Sequence, residues 1–268
     1  METKKGTKVK TRSKGASAGF IIAGCFIVAC VFFFGICGDP GNFDEKGHPL
    51  TGNVFGTLYQ GGVVIPLVMT LLLTVLSLSV ERFFAFNRAY GKGNVDKFVY
   101  SAKQKIEAGD IAGASKLCDD QKGSVANILK AGLIRYEDVE KITNLNNDEK
   151  AAIIQKEIEE ATTLELPYLE KNMNIIAAIS SLGTLFGLLG TVLGMIRAFA
   201  ALAQEGSPDS LALSTAISEA LLNTAMGIAT GACAIIFYTY FSGRIQNLTN
   251  AVDEVGFAIG QTYTTTHK

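Results

Sequence analysis

Apolar residues in this chain are gathered into four long blocks separated by polar stretches. The blocks lie at 19–37, 59–80, 173–203 and 211–242. Each is near or above the roughly 17–20 residues that an α-helix needs to cross a bilayer. No segment alternates apolar and polar residues as a half-buried strand does. The pattern predicts an all-α, polytopic membrane protein with about four transmembrane helices.

Residues 81–172 carry most of the remaining charge, with apolar side chains recurring at helical spacing. Asp110, after Gly109, is expected to cap a short helix through Leu117. A later apolar series continues toward the third block, so we expect one long helix, kinked at Pro167, to enter the membrane. The clearest members of these series are Val95, Phe98, Val99, Ala102, Val125, Ile128, Leu129, Leu133, Ile153, Ile154, Ile158, Ala161, Leu164 and Leu169. This segment is predicted to be a cytoplasmic helical domain.

The distribution of Lys and Arg predicts which side of the membrane each segment occupies. Residues 1–18 are strongly basic, and basic segments stay in the cytoplasm. Four crossings then place 38–58 and 204–210 in the periplasm, where Lys46 is the one basic residue. Segments 81–172 and 243–268 fall inside, and they contain the boundary residues Arg82, Arg88, Lys92 and Arg244.

The first apolar block has two interpretations. Ile22-Ala23-Gly24-Cys25 resembles a lipoprotein cleavage box, which would make the block a cleaved signal. The apolar run continues to Cys37, however, whereas the apolar region of a signal peptide precedes the cut. We therefore favour a retained helix at 19–37, and a cleaved signal is the alternative.

Composition narrows the possible functions. The chain has 268 residues and a net charge of −1, which gives no electrostatic case for binding nucleic acid. Its five cysteines and two histidines form no metal-ligand spacing, so no metal site is expected. No nucleophile–base set or phosphate-binding loop is recognisable. We expect neither catalytic activity nor a cofactor.

Small and polar residues lie within the last two blocks. Ser180, Thr184, Gly187 and Thr191 follow i, i+4, i+7 and i+11, which places them on one helix face. Thr224 lies on a similar face of the fourth block. Glycines at helical spacing allow close helix packing, and they are Gly183, Gly187, Gly190, Gly194, Gly227 and Gly231. The hydroxyl-bearing faces are candidate linings of a narrow polar path.

Depth along the two helices strengthens that interpretation. At 1.5 Å per residue from a turn near Ser207, Thr191 lies about 24 Å and Thr224 about 25 Å along their helices. Glu219 and Arg197 lie about 18 and 15 Å from the same turn, so they form a possible ion pair. Two alternatives stay open: the threonines bond only their own helix, or Glu219 is hydrated near the outer surface.

Two stretches carry a family resemblance. They are GLLGTVLGMIRAF at 187–199 and ISEALLNTAMGIATGACAIIFYTYF at 217–241. They resemble the proton-channel family that includes ExbB, TolQ and MotA, and ExbB most closely. The resemblance extends over most of 59–245. Cys233 departs from the family pattern, which usually has Pro there, and block 19–37 is additional to its three spans.

The resemblance implies a homopentamer in the bacterial inner membrane, whose third and fourth spans enclose a pore. An ExbD-like single-span partner would contribute an essential membrane Asp, and a TonB-like protein would receive the work. Thr191 and Thr224 would be the pore threonines and Glu219 the family's membrane Glu. Protons would be the ion carried.

The expected function is thus coupling of the proton motive force to outer-membrane transport. Two alternatives remain from the residues alone. The chain could be the stator of a flagellar, gliding or Tol-type system, with a different partner. It could also be a passive membrane scaffold whose small residues only pack helices.

Single-cysteine labelling tests the predicted topology. In a background without the five native cysteines, an impermeant thiol reagent added to intact cells should label a cysteine at Asn42. The same reagent should miss a cysteine at Asn144. Labelling at 144 would contradict the assignment.

Overall fold

A computed structural model describes residues 18–44, 48–50, 52–204 and 210–266. Within these ranges there is no β-strand, only an isolated bridge between Phe43 and Pro49. Four helices there are long and apolar enough to cross a membrane, so the predicted fold class is confirmed. The basic N-terminus at 1–17, Lys46 and the outer turn at 205–209 lie outside the described residues. The helices are α1 Ala18–Phe32, α2 Val54–Gln60, α3 Val64–Tyr90, α4 Val95–Glu107, α5 Ile111–Gln121, α6 Ser124–Glu140, α7 Asn147–Glu170, α8 Met173–Gln204 and α9 Ser210–Thr266.

The chain divides into two compact units, and α3, α8 and α9 contribute residues to both. The first unit comprises Met1–Thr74 and Phe186–Gly227. In it, α1 ends in a π-helical turn, Phe33–Cys37, where the Phe33 ring stacks on Tyr59 at 5.0 Å.

Side-chain amides close the connection between α1 and α2. Asn53 caps α2 by accepting from the N–H groups of Phe55 and Gly56, and its amide donates to Asn42 Oδ1 at 2.9 Å. Asn42 in turn donates to the carbonyl of Ile36 at 2.7 Å. Because Asn42 holds this loop closed, the exposed Leu50 is a less disruptive labelling position in the same loop.

The second apolar block is interrupted. We predicted one span over 59–80, but α2 ends at Gln60 and α3 begins at Val64. Gly62 adopts a φ of +69°, a conformation that favours glycine. Pro66 lies in the first turn of α3, where its missing N–H breaks no helical bond. The helix then runs on to Tyr90, well past residue 80.

The second unit comprises Val75–Leu185 and Ile228–Lys268 and contains α4 to α7. The apolar series predicted for α4 and α6 are buried, which confirms them. Gly132 on α6 lies under Ile158 and Ile259, since an added Cβ would be 2.8 Å from Ile158 Cγ1. On α7, Ile154 is fully buried, whereas Leu164 is exposed and not part of this core.

Helix starts in the second unit are capped by side chains. Asp110 accepts from the N–H of Gly113 at 2.8 Å, so the predicted cap is confirmed, although α5 continues to Gln121. Lys105 donates to Asp110, and this bond with the Gly113 N–H lowers the pKa of the Asp110 carboxyl. Asn146 and Glu149 form a reciprocal capping box at the start of α7.

We predicted one long helix, kinked at Pro167, that enters the third block; Pro167 lies within α7, but the helix does not continue unbroken into α8. It breaks at Lys171–Asn172 between α7 and α8, and Asn172 has a φ of 63°. Asn is one of the residues that tolerates this left-handed conformation. The Asn172 amide donates to Glu81 at 3.2 Å, so a contact with α3 holds the break in place.

Arg82 on α3 completes the end of α7. Its guanidinium donates to the carbonyls of Tyr168 at 3.0 Å and Leu169 at 3.4 Å, which lie in the last turn of α7. Glu81 balances the charge, with Nε to Oε2 at 2.9 Å. Only 1% of Arg82 is exposed. A buried cation thus supplies the donors that a terminated helix lacks.

Arg82→Met should lower the free energy of unfolding by roughly 2–4 kcal/mol, because two carbonyls lose their donor and the Glu81 carboxylate loses its adjacent cation. Arg88→Met is the matched control on the same helix. Arg88 is exposed, so its replacement should change stability by less than about 0.5 kcal/mol. The two variants are compared by unfolding in detergent, monitored as the loss of helical signal. Equal destabilisation would contradict the role of Arg82 at the end of α7.

Candidate functional site

In the first unit, α8 and α9 approach each other closely along a line of glycines. A Cβ added at Gly187 would lie 2.9 Å from the Cα of Gly227. One added at Gly194 would lie 2.7 Å from the Cβ of Ala220. Contacting positions rise along one helix as they fall along the other, so the two helices run antiparallel. We call Gly187, Gly190, Gly194 and Gly227 the glycine seam.

The two threonines predicted to share a depth do meet across this seam. The hydroxyls of Thr191 and Thr224 are in direct hydrogen-bond contact. The carbonyl of Gly187 lies 3.3 Å from Thr191 Oγ1 and 3.2 Å from Thr224 Oγ1. Thr191 also reaches the carbonyl of Ala220 at 3.4 Å. Each hydroxyl has one proton and two lone pairs, so the pair can exchange donor and acceptor roles.

The same contacts serve packing, because both hydroxyls are satisfied by backbone carbonyls. Both threonines are nevertheless half-buried, neither sealed in the core nor fully open. Their remaining lone pairs can accept from water or from a further ionisable group. The two hydroxyls can therefore form one link in a chain of hydrogen bonds along a polar path.

Arg197 and Glu219 also come together in the first unit. Arg197 Nη1 lies 3.5 Å from Glu219 Oε2. The Glu219 side chain is 14% exposed and that of Arg197 51% exposed. Arg197 further donates to the carbonyl of Leu193 at 3.4 Å, which holds the guanidinium against its own helix. The pair can neutralise a carboxylate that would otherwise be costly within a span.

Ser180 and Thr184 belong to the second unit and do not join the threonine pair. The hydroxyl of Ser180 donates to the carbonyl of Ala177 at 2.6 Å, within its own helix. Thr184 is exposed, and Gly183 beside it is buried. A Cβ added at Gly231 would lie 2.7 Å from the carbonyl oxygen of Ser180, so α8 and α9 also pack closely within the second unit.

Sequence reasoning missed Asn223. It is completely buried, one residue before Thr224, and its amide donates to the carbonyl of Gly61 at 3.1 Å. The signal that could have found it is an amide within an apolar block, next to a threonine already singled out. An amide there needs a partner, because lipid supplies none.

Among the described residues, no group of three or more His, Cys, Asp or Glu is placed to hold a metal ion. Cys118, in the second unit, is 3% exposed, and burial raises the pKa of its thiol to about 12. At neutral pH this cysteine is therefore a protonated, apolar packing residue.

The sequence model of the MotA/TolQ/ExbB proton channel family matches residues 120–254, which include the seam, both threonines, Arg197 and Glu219. The chain belongs to the MotA/TolQ/ExbB proton channel family. The resemblance stated from the two motifs is thereby confirmed, and the chain is a membrane protein of a proton-channel family.

Individual relatives agree with the family assignment. The Tol-Pal system protein TolQ of Pseudomonas aeruginosa is 25% identical over 204 residues, covering 73% of this chain and 86% of that protein. The biopolymer transport protein ExbB of Salmonella typhimurium is 24% identical over 209 residues, covering 76% and 83%. A putative biopolymer transport protein ExbB-like 3 of Synechocystis is 34% identical over 86 residues, covering 31% and 41%. These identities do not separate an ExbB-type from a TolQ-type member.

Gly190→Ala tests the seam. An added Cβ would lie 2.5 Å from the Cβ of Asn223, so the helices must separate, and unfolding should move to lower temperature. Gly243→Ala on α9 is the matched control, because nothing lies within 4 Å of its added Cβ. The control should be neutral or slightly stabilising, as Ala favours helix more than Gly does. A neutral Gly190→Ala would contradict close packing at this position.

Proposed function

We propose that this chain is the channel-forming subunit of a motor in the bacterial inner membrane that is driven by the proton gradient. The observation that carries the proposal is the Thr191–Thr224 hydroxyl contact across the glycine seam. Membership of the proton channel family supports it. A scaffold would need the glycines, but it would not need two hydroxyls facing each other inside an apolar hairpin.

Protons would move by way of a carboxylate on an ExbD-like single-span partner, held near the two threonines. The carboxylate takes a proton from water on the periplasmic side and releases it to water on the cytoplasmic side. Thr191 and Thr224 would hold water or the acid form by donating and accepting in turn. A change of charge on the partner would alter its fit among the subunits, and movement of one against the other would follow.

Glu219 and Arg197 would lie toward the outer mouth of this path. Their contact keeps a fixed carboxylate and a fixed guanidinium nearly neutral together. A mouth that is locally neutral but polar stays hydrated without trapping a cation. We also propose Ser180 and Thr184 as polar lining residues within the second unit, from the sequence pattern on α8.

Assembly as a homopentamer fits the exposed apolar surface of α8. On the part of α8 that belongs to the first unit, the exposed large apolar side chains include Leu188, Leu189, Val192, Leu193, Ile196 and Phe199. Surfaces of this kind are covered by lipid or by neighbouring subunits. Five copies would enclose the partner, and a TonB-like protein would receive the work.

A Tol-type role is the second candidate. The chain is as similar to the TolQ of Pseudomonas aeruginosa as to the ExbB of Salmonella typhimurium. The proton path would be the same in both systems, with a different partner and target. Complementation of separate deletion strains that lack either system distinguishes them.

Thr191→Val and Thr224→Val test the path itself. Valine keeps the shape of threonine but can neither donate nor accept a hydrogen bond, so assembly with the partner should be normal. Proton-driven work should fall about tenfold or more, the effect expected from one missing polar contact. Complementation of a deletion strain measures the work, and co-purification measures assembly.

Thr163→Val is the matched control. Thr163 is exposed on α7 and donates to the carbonyl of Glu159 in its own helix, at 2.9 Å, so its loss should have little effect. Full activity of both membrane valine variants would mean that these threonines only pack helices.

A further inference from the structure

Asn223 lies between two backbones that carry no side chain. On one side, a Cβ added at Gly190 of α8 would lie 2.5 Å from Asn223 Cβ. On the other side, a Cβ added at Gly61 would lie 2.9 Å from Asn223 Oδ1. All three residues belong to the first unit. The amide thus joins α9, α8 and the break between α2 and α3.

The amide replaces a missing helical hydrogen bond. In a continuous helix, the N–H of Ile65 would donate to the carbonyl of Gly61, four residues earlier. Here that N–H donates to Gly62 instead, at 3.2 Å. Asn223 Nδ2 supplies the donor for Gly61 at 3.1 Å. The break at 61–63 is therefore completed by a side chain from α9.

The chemistry fixes which end of the amide faces Gly61. A carbonyl oxygen accepts only, so the NH₂ group must point toward it. Oδ1 is buried and has no hydrogen-bond partner among the described residues. Retaining a buried acceptor without a partner is costly. The donor function of this side chain is thus the one the position requires.

Asn223 and Thr224 face different neighbours because successive residues on a helix are about 100° apart. Asn223 donates to Gly61 and packs against Gly190. Thr224 contacts the Thr191 hydroxyl and the carbonyl of Gly187. A rotation of α9 that released the first contact would also turn Thr224 away from Thr191. The contacts of Asn223 therefore fix the rotation of α9 about its own axis.

We propose that Asn223 is a positioning residue for the proton path: by donating to Gly61 it holds α9 in the rotation at which the Thr191 and Thr224 hydroxyls meet. This inference rests on the proposed function, since it assigns the threonines to proton movement. The inference makes proton movement depend also on the break between α2 and α3, which holds Asn223 through Gly61.

Exchanging the amide for a carboxyl group tests the donor directly. In Asn223→Asp, the protonated acid can donate to Gly61, whereas the carboxylate cannot. The elements packed around this position carry Glu219, one turn earlier on α9, Arg197 on α8, which pairs with Glu219, and the phenol of Tyr59 on α2. The described residues 52–74 that lead into α3 contribute no charged side chain here.

The experiment measures proton flux into vesicles that contain the chain and its co-purified ExbD-like partner, with a pH-sensitive dye, across a range of pH. Flux of Asn223→Asp, relative to the native complex at the same pH, should lie within about twofold at the acidic end. It should fall to about a tenth as pH rises, a change equivalent to about 1.4 kcal/mol. Asn223→Ala should be about tenfold low at every pH.

Asn250→Asp is the matched control, because Asn250 is exposed on the same helix and accepts from the Gln246 amide at 2.9 Å. Its relative flux should not depend on pH. Infrared spectroscopy detects the protonated carboxylic acid of Asn223→Asp independently of activity. Its band should be present at acidic pH and should disappear as the flux falls.

The outcomes separate the two proposals. No proton flux from the native complex would overturn the proposed function and this inference with it. Flux from the native complex, with a pH-independent ratio for Asn223→Asp or native flux for Asn223→Ala, would overturn the inference alone.

Discussion

The close backbone approach of α8 and α9 is the constraint on which the candidate site depends. Threonine hydroxyls are short, so they meet only if the two helix axes are nearer than ordinary side chains allow. Glycine at positions 187, 190, 194 and 227 removes the atoms that would keep them apart. Association of helices in lipid gains little from hydrophobic burial, so contact at such positions supplies the attraction as well as the geometry.

Both helix breaks follow one rule, although they lie in different units. At each of these two breaks, a side chain from another helix donates to a backbone carbonyl that has lost its helical donor. Arg82 serves the end of α7, and Asn223 serves the break before α3. A backbone carbonyl left without a donor in lipid costs several kcal/mol, on the order of the stability of a whole domain. Irregular backbone is therefore found where a polar side chain from elsewhere can reach it.

Apolar blocks and helical periodicity were enough to predict the all-α class, the buried series on α4 and α6, and the Asp110 cap. Counting residues from the turn predicted that Thr191 and Thr224 lie at the same level, because the rise per residue of an α-helix is nearly invariant. The breaks at 61–63 and 171–172 were missed, since a hydropathy pattern averages over two or three residues. Their conformations depend on Asn223 and Arg82, which are distant in sequence. The sequence marks Asn223 as an amide within an apolar block, but not its partner, because Gly61 is 162 residues away in the chain.

The Arg82 contact has a consequence for biosynthesis. Its acceptors on α7 follow it by 86 and 87 residues, so they do not yet exist when Arg82 is added to the growing chain. At 5–20 residues per second, roughly 4–17 seconds pass before Tyr168 has been made. During that interval the adjacent Glu81 is the partner already present, and it neutralises the guanidinium. The Glu81 carboxylate thus pairs with the Arg82 guanidinium until α7 has been synthesised and its carbonyls can accept from Arg82.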